Sequence, residues 1–100
     1  MKAYFDHEKL NVYQMSLVFN QWVGELLGSI EAKAAAKDHL DRAATSIPLN
    51  IAEGNGKFSR RDRARFFDTA RGSAVEAAAS LDVLVSRKLA AAAQVAAVKE

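Results

Sequence analysis

The sequence predicts an all-α protein, an antiparallel up-down bundle of four helices with a proline-kinked second helix and a short fourth helix. Three observations predict this class. Apolar residues recur at alternating spacings of three and four along most of the chain, which is the period of an amphipathic helix. The 100 residues include one proline and five glycines, so few positions interrupt a helix. Half of the residues are apolar and 26% are charged, as in a globular domain.

One hundred residues are enough for one domain with a modest core, so we predict a single domain over residues 1–100. The chain has no cysteine, which excludes a disulfide framework, a zinc knuckle and a thiol nucleophile. Asp6, His7 and Glu8 stand where a signal peptide would be apolar. The most apolar late segment, residues 89–98, is too short to cross a membrane. We therefore expect a cytoplasmic protein without a membrane partner.

The first helix is predicted over about residues 7–28. Asp6 is the expected N-cap, and Phe5 and Leu10 fit the two positions of a hydrophobic staple. An apolar stripe at spacings of three and four follows one face of this helix and is formed by Val12, Met15, Phe19, Trp22, Leu26 and Ile30. Three further apolar side chains widen this surface and suit an interface between subunits, namely Tyr13, Val18 and Val23.

The second helix begins with an alanine-rich run and meets Pro48 in its second half. A proline inside a helix removes one hydrogen bond and clashes with the carbonyl four residues earlier, here that of Ala44, at a cost of about 3 kcal/mol. The helix therefore either ends near Ile47 or continues through a kink. We favour the kinked helix because the following residues keep the same apolar seam, with Gly54 and Gly56 as its stop.

The third helix is predicted to start with Ser59 as its N-cap. Asp62 follows three residues later, as in the acidic variant of a capping box. Small residues in the middle of this helix permit close packing against the second helix. Its seam is formed by Phe67, Ala70, Ala74, Ala77, Leu81 and Leu84. No glycine or proline marks its end, so the sequence alone would allow the third helix to continue to Glu100. We place a break near Arg87-Lys88 and a fourth helix from about Leu89, because four helices close a bundle.

Two polar stripes fall on the predicted second and third helices. Ser46, Asn50 and Glu53 are spaced i, i+4 and i+7, and their counterpart on the third helix is Ser73, Glu76 and Ser80, spaced i, i+3 and i+7. Facing stripes would form either a paired-carboxylate site for acid-base or metal chemistry or a structural polar network. We favour the network, which would also satisfy the carbonyl freed by the proline. A dinuclear metal bundle needs Glu-x-x-His pairs, and neither histidine has a carboxylate three residues upstream, so no metal site is predicted.

The clearest functional signal is a basic segment at the start of the third helix. Residues 57–71 carry six Lys/Arg against two Asp/Glu, whereas residues 1–56 carry five against seven. Cations at a helix N-terminus oppose the helix dipole, so helix stability does not explain them. They suit phosphate contacts, with Phe58 available for stacking; the alternative is a solvated face or salt bridges between subunits. The candidate nucleic-acid-binding residues are Lys57, Arg60, Arg61, Arg63, Arg65 and Arg71.

Catalysis has no positive signal in the sequence. No serine lies in a Gly-x-Ser-x-Gly elbow, and no glycine-rich segment matches a phosphate-binding loop. His7 and His39 stand beside acidic residues on predicted helix surfaces and are interpreted as surface histidines. We therefore predict no enzymatic activity, no catalytic residue and no cofactor.

Three segments carry a family resemblance: residues 5–13, Phe-x-x-x-x-Leu-x-Val-Tyr; residues 46–54, Ser-Ile-Pro-x-Asn-Ile-Ala-Glu-Gly; and residues 70–76, Ala-x-Gly-Ser-Ala-x-Glu. They resemble the four-helix-bundle family of 23S rRNA intervening-sequence proteins. The resemblance implies an antiparallel four-helix bundle that assembles as a homopentamer. Some members of this family are encoded within inserts in bacterial 23S rRNA genes, and distant relatives that accompany reverse transcriptases bind nucleic acid. The sequence departs from the family pattern in its shorter fourth helix.

These observations favour a non-enzymatic homo-oligomer that binds RNA or DNA through the basic segment. An oligomer would repeat a weak basic patch, and multivalency would raise its affinity. The alternative is a protein–protein scaffold with no nucleic-acid role, whose basic segment pairs with an acidic surface of a neighbouring subunit.

Overall fold

The computed structural model of the protein describes the backbone of residues 6–99 and the side chains of residues 7, 8 and 10–95. Within this range a 3-10 turn, Asp6–Lys9, precedes four α-helices, and there is no strand. None of these helices is both long and apolar enough to span a membrane. The all-α class is thus confirmed for the described residues, and the helices are α1 (Asn11–Ser29), α2 (Ala35–Asn55), α3 (Arg60–Ser86) and α4 (Ala92–Lys99).

The first α-helix begins later than the sequence predicts. Asp6 lies in the 3-10 turn, and Leu10 occupies the N-cap position of α1 without a side-chain hydrogen bond. The predicted N-cap at Asp6 is wrong because Leu10 adopts an extended backbone, φ −77° and ψ 126°, that separates the turn from α1. Phe5 of the predicted staple lies outside the described residues. The side-chain amide of Gln14 donates to the carbonyl of Glu8 at 2.9 Å and ties the turn to the helix.

The second helix continues through Pro48, which is buried, and ends at Asn55. The predicted continuation beyond the proline is therefore confirmed. The carbonyl of Ala44, which loses its helical donor to the proline, accepts a hydrogen bond from the side-chain amide of Asn20 on α1 at 2.8 Å. The same amide donates to the carbonyl of Ser16 at 2.8 Å. The freed carbonyl is thus satisfied by a residue of α1 and not by the polar stripe that the sequence suggests.

Gly54 is a close-packing position inside α2. A Cβ atom built there would lie 2.9 Å from Cε1 of Phe67 and 3.0 Å from Cβ of Phe66, both on α3. Carbon atoms do not approach that closely without something moving, so glycine is what permits this contact. The prediction that Gly54 stops the helix is wrong. Gly56 is the C-cap, and its N–H donates to the carbonyl of Ala52 at 3.1 Å.

The end of α3 is a Schellman motif without a glycine. Lys88 adopts the left-handed conformation, with φ 62°. Its N–H donates to the carbonyl of Val85 at 2.9 Å, and the N–H of Leu89 donates to the carbonyl of Leu84 at 2.8 Å. These are the two hydrogen bonds that define the motif. The predicted break near Arg87-Lys88 is confirmed, and α4 starts three residues after the predicted Leu89.

The central helix is α2, which packs against both α1 and α3. Along the second of these contacts, Ser46 meets Ser73, and Gly54 meets Phe67. Since the later residue of α2 meets the earlier residue of α3, these two helices run in opposite directions. A single buried apolar cluster joins all four helices, with Val95 from α4 only 3% exposed. Its most buried large side chains are Val23, Leu40, Leu81 and Leu84.

Candidate nucleic-acid interface

The basic segment begins in the turn after α2 and continues along the first turns of α3. The hydroxyl of Ser59 accepts a hydrogen bond from the N–H of Asp62 at 3.1 Å, which confirms the predicted cap and fixes the start of the helix. Arg60 is the first residue of α3. Arg60, Arg61 and Arg63 therefore lie at a helix N-terminus, where the free backbone N–H groups and the helix dipole already produce a positive potential.

Three of the six cations form ion pairs with acidic residues three or four positions away. Each pair is exposed on both sides, so it contributes about 0–1 kcal/mol to stability, and solvent still reaches the cation. The pairs, with their nitrogen–oxygen distances, are Lys57–Glu53 at 3.3 Å, Arg65–Asp62 at 3.9 Å and Arg71–Asp68 at 3.1 Å.

Phe66 is a half-buried platform between two of these cations. The Nζ atom of Lys57 lies 5.2 Å from the centre of its ring, and Cζ of Arg65 lies 4.9 Å from it. Both distances are within the range of a cation–π interaction, which restrains the two long side chains. This role was not predictable from the sequence, because Phe66 reaches Lys57 only once the turn between α2 and α3 has folded back.

The other three cations, Arg60, Arg61 and Arg63, are exposed and form no ion pair among the described residues. Phe58, just before them, is fully exposed at 104% of its reference area. Each guanidinium keeps five N–H donors in a planar fork, a shape that matches a phosphate group. These three arginines are the part of the basic segment that is not occupied by the protein's own acidic residues.

Ser46, Asn50 and Ser73 form a polar network between α2 and α3. The hydroxyl of Ser73 donates to the hydroxyl of Ser46, with 2.8 Å between the oxygens. The side-chain amide of Asn50 donates to the hydroxyl and to the carbonyl of Ser46, both at 2.8 Å. Ser73 is buried, and its hydroxyl reaches Ser46 only when α2 and α3 pack in this register. The network therefore helps to fix how the two helices align.

Glu53 and Glu76, which were also predicted for this network, lie elsewhere. Glu53 pairs with Lys57, and Glu76 lies with Oε1 3.6 Å from Nδ1 of His39, both groups being more than half exposed. His39 and Glu53 are fourteen residues apart on α2, a rise of about 21 Å. The two carboxylates therefore do not form a catalytic pair, and exposed carboxylates are better solvated where they are.

Within the described part of the chain, no group of three or more His, Cys, Asp or Glu side chains is placed to hold a metal ion. The structure thus joins three of the five residues predicted for the polar network, and the six predicted cations extend from the turn before α3 to Arg71, near the middle of that helix.

Two of the segments that carry the family resemblance meet in the structure, since residues 46–54 pack on residues 66–73. A family model described as 23S rRNA-intervening sequence protein matches residues 8–100. The chain belongs to this family. No curated protein matches the chain.

As a 23S rRNA-intervening sequence protein, this chain places the most specific part of its motif in the fold's central contact. Ser46 and Asn50 supply the polar network, Pro48 directs a carbonyl toward α1, and Gly54 allows close approach to α3. The motif residues therefore have structural roles in the α2–α3 pair, and the basic segment directly follows them in the chain.

Proposed function

We propose that the protein is a non-enzymatic, homo-oligomeric helical-bundle protein that binds RNA or DNA. The observation that carries the proposal is the group of three exposed arginines with no ion pair among the described residues, beside a fully exposed phenylalanine. The proposed contact residues are Lys57, Arg60, Arg61, Arg63, Arg65 and Arg71.

The chemistry of these groups suits a nucleic-acid backbone. A guanidinium donates two parallel hydrogen bonds to one phosphate, and the N-terminus of α3 adds backbone N–H groups of the same polarity. Phe58 offers an aromatic face on which an unpaired base can stack. Such contacts hold the backbone of any sequence, so we expect weak sequence preference and an affinity that falls steeply with salt.

The proposal includes the assembly that the family resemblance implies, an antiparallel up-down four-helix bundle kinked at Pro48 and repeated in a homopentamer. Val18, exposed at 67% on α1, and its neighbour Leu17, exposed at 41%, support an interface between subunits. Val23, which was also expected on this surface, is 2% exposed and belongs to the core. Repetition of the basic segment around a ring would convert a weak contact into useful avidity.

Replacement of Arg60, Arg61 and Arg63 by alanine tests the proposal. We expect a loss of affinity for short single-stranded RNA and DNA of at least about tenfold at low salt, because up to three phosphate contacts disappear. The slope of log affinity against log salt should flatten by about 2. Fluorescence anisotropy of labelled oligonucleotides, titrated at several salt concentrations, measures both quantities.

A matched control removes the same charge elsewhere. Lys33, Arg42 and Arg87 are exposed cations outside the basic segment, and their replacement by alanine lowers the net charge by the same amount. This control should retain the affinity and the salt slope of the unaltered protein. An equal loss in both triple variants would show a general effect of net charge, and no loss in either would refute the nucleic-acid role.

A protein–protein scaffold is the alternative function, and exposed apolar side chains favour it. Leu49 on α2 and Val75 on α3 are 61% and 67% exposed, in addition to the two α1 residues. In this case the three arginines pair with an acidic surface of a neighbouring subunit. Their replacement would then dissociate the oligomer, and nucleic acid would not bind even the unaltered protein.

A further inference from the structure

Phe58 lies in the short turn between α2 and α3, and it is the most exposed large apolar residue in the described part of the chain. Its side chain is 104% exposed, whereas the next, Met15, is 69% exposed. A single exposed apolar side chain is common on protein surfaces. What distinguishes Phe58 is how the turn holds it and which groups surround it.

The chain is anchored immediately before Phe58, at Lys57. The N–H of Lys57 donates to the carbonyl of Gly54 at 3.1 Å. The Nζ atom of the same residue lies 3.3 Å from Oε2 of Glu53 and 5.2 Å from the centre of the Phe66 ring. Both the backbone and the side chain of Lys57 are therefore held against neighbouring residues.

The chain is anchored again immediately after Phe58, at Ser59. The Ser59 hydroxyl accepts a hydrogen bond from the N–H of Asp62, and its carbonyl accepts one from the N–H of Arg63, both at 3.1 Å. Phe58 thus lies between two fixed residues, and the folded turn presents its ring to solvent before any ligand arrives. Such pre-ordering lowers the entropy that is lost on binding.

Phe66 is the contrasting aromatic residue of the basic segment. It is half-buried, and Lys57 and Arg65 lie against its ring at 5.2 Å and 4.9 Å from the centre. Phe58 has no ring or cation contact among the described residues. The ring of Phe58 is therefore free to stack on a ligand, whereas the ring of Phe66 positions two of the protein's own cations.

The cations closest to Phe58 in the chain are also free. Arg60, Arg61 and Arg63 follow it by two to five residues and form no ion pair among the described residues. They lie within the first turn of α3, over a rise of about 4.5 Å. An aromatic ring and a group of phosphate donors are thus close together, and a nucleotide of a single strand offers the matching parts, an uncovered base and its flanking phosphates.

A duplex matches only the arginines. Its phosphates are exposed, but each base is paired and is stacked on both neighbours. An aromatic ring has to separate a base step before it stacks inside a duplex, which costs free energy that a single strand does not require. The arginines therefore contact either form, and the ring distinguishes between them.

We propose that Phe58 makes the basic segment selective for unpaired nucleotides. One base of a single strand, a loop or an overhang stacks on the Phe58 ring, while Arg60, Arg61 and Arg63 hold the adjoining phosphates. This inference rests on the proposed nucleic-acid binding, and it adds the class of nucleic acid and the residue that selects it. Stacking accepts any base on either sugar, so RNA and DNA strands share the site.

Phe58→Ala tests the selectivity on the full chain. The probes are a labelled single strand of mixed sequence, as RNA and as DNA, and a long blunt duplex of the same sequence. The variant should bind the single strands at least about fivefold more weakly, because stacking on the ring is lost. Its affinity for the duplex and the slope of log affinity against log salt should not change, because every phosphate contact remains. Fluorescence anisotropy at several salt concentrations measures both.

Abasic strands and two further variants separate stacking from other effects of the residue. A DNA strand of abasic sites keeps its phosphates, so Phe58→Ala should bind the abasic and the intact strand alike, whereas the unaltered protein should prefer the intact strand. Phe58→Tyr keeps the ring and should keep this preference, whereas Phe58→Leu should lose it. Since the side chain is fully exposed, all three variants should unfold at the urea concentration of the unaltered protein.

Three results would overturn the selectivity. The first is an equal loss of affinity for single strand and duplex in Phe58→Ala, and the second is an unchanged affinity for both. The third is dissociation of an oligomer by Phe58→Ala in light scattering, which would assign the ring to a contact between subunits. In the second case, a loss of binding on replacement of the three arginines would leave the proposed function standing. Absence of nucleic-acid binding by the unaltered protein would instead refute the proposed function and, with it, this selectivity.

Discussion

Pro48 leaves the carbonyl of Ala44 without its helical donor, and one side chain on α1 donates a hydrogen bond to it instead. Asn20 donates to that carbonyl and to the carbonyl of Ser16, so a defect in α2 becomes a specific link to α1. A buried carbonyl without a partner costs about 1–3 kcal/mol, which explains why a polar residue interrupts the half-buried face of α1. The sequence identifies the carbonyl that the proline frees. It does not identify the donor, because Asn20 is brought to Ala44 only by the packing of α1 on α2.

Gly54 and Gly72 are both helical glycines, and we predict opposite outcomes for their replacement by alanine. Gly54→Ala should destabilise the protein by about 1–3 kcal/mol, because the new methyl group meets Phe66 and Phe67 at 3.0 Å and 2.9 Å. Gly72→Ala should stabilise it by about 0.5–1 kcal/mol, because nothing lies within 4 Å and alanine is the better helix former.

Urea unfolding followed by circular dichroism, at one protein concentration for all variants, measures these changes in the free energy of unfolding. Stabilisation by both substitutions would mean that α2 and α3 are not closely packed at Gly54. Destabilisation by both would show that the exposed position of Gly72 has a contact that the fold does not explain.

The two ends of α3 show what local sequence can and cannot predict about an element. Its start has a recognisable cap, Ser59 with Asp62, and the structure has the same hydrogen bond. Its end has neither glycine nor proline, and the break was predicted from the need for a fourth helix. The structure makes the turn with Lys88 at φ 62°, stabilised by backbone hydrogen bonds to Val85 and Leu84. A non-glycine residue in this conformation leaves no clear signature in the sequence.

Lys88→Gly should therefore stabilise the protein by about 1 kcal/mol, because glycine adopts the left-handed conformation without steric cost. Lys88→Ala removes the same side chain but keeps a Cβ atom, so it should give no such gain. Thermal or urea unfolding of the two variants side by side checks the expectation. A glycine variant no more stable than the alanine variant would show that the end of α3 is not strained.

At the scale of the whole molecule, the basic segment extends from the turn after α2 along the first half of α3. Charge counting along the sequence predicted this segment, since residues 57–71 have a net charge of +4 and the whole chain has +2. Charge counting does not predict which cations form ion pairs or ring contacts. Glu53 pairs with Lys57 at the end of α2, and Lys57 and Arg65 both lie against the ring of Phe66. The apolar stripe on α1 was also predicted, but the difference in exposure along it, 3% at Leu26 and 69% at Met15, was not. That property depends on where α4 lies relative to α1 and α3.

The assignment of the first three helices follows from hydrophobic spacing, which is a local property and is preserved in the fold, whereas the fourth helix was placed because four helices close a bundle. The polar network was predicted with two glutamates that do not join it. Spacing along a helix predicts which residues share a face. It does not predict which residues of the neighbouring helix lie opposite each of them. Ser46 meets Ser73, whereas Glu76 lies beside His39 instead of Glu53.

The most direct test of the central claim is the molar mass of the protein by light scattering, with and without a pool of short RNA and DNA, at low and at high salt. We predict a stable multimer at both salt concentrations that gains nucleic-acid mass at low salt and loses it at high salt, because arginines contact phosphates. A multimer that gains no nucleic-acid mass at either salt concentration would contradict the binding role and leave the scaffold as the function.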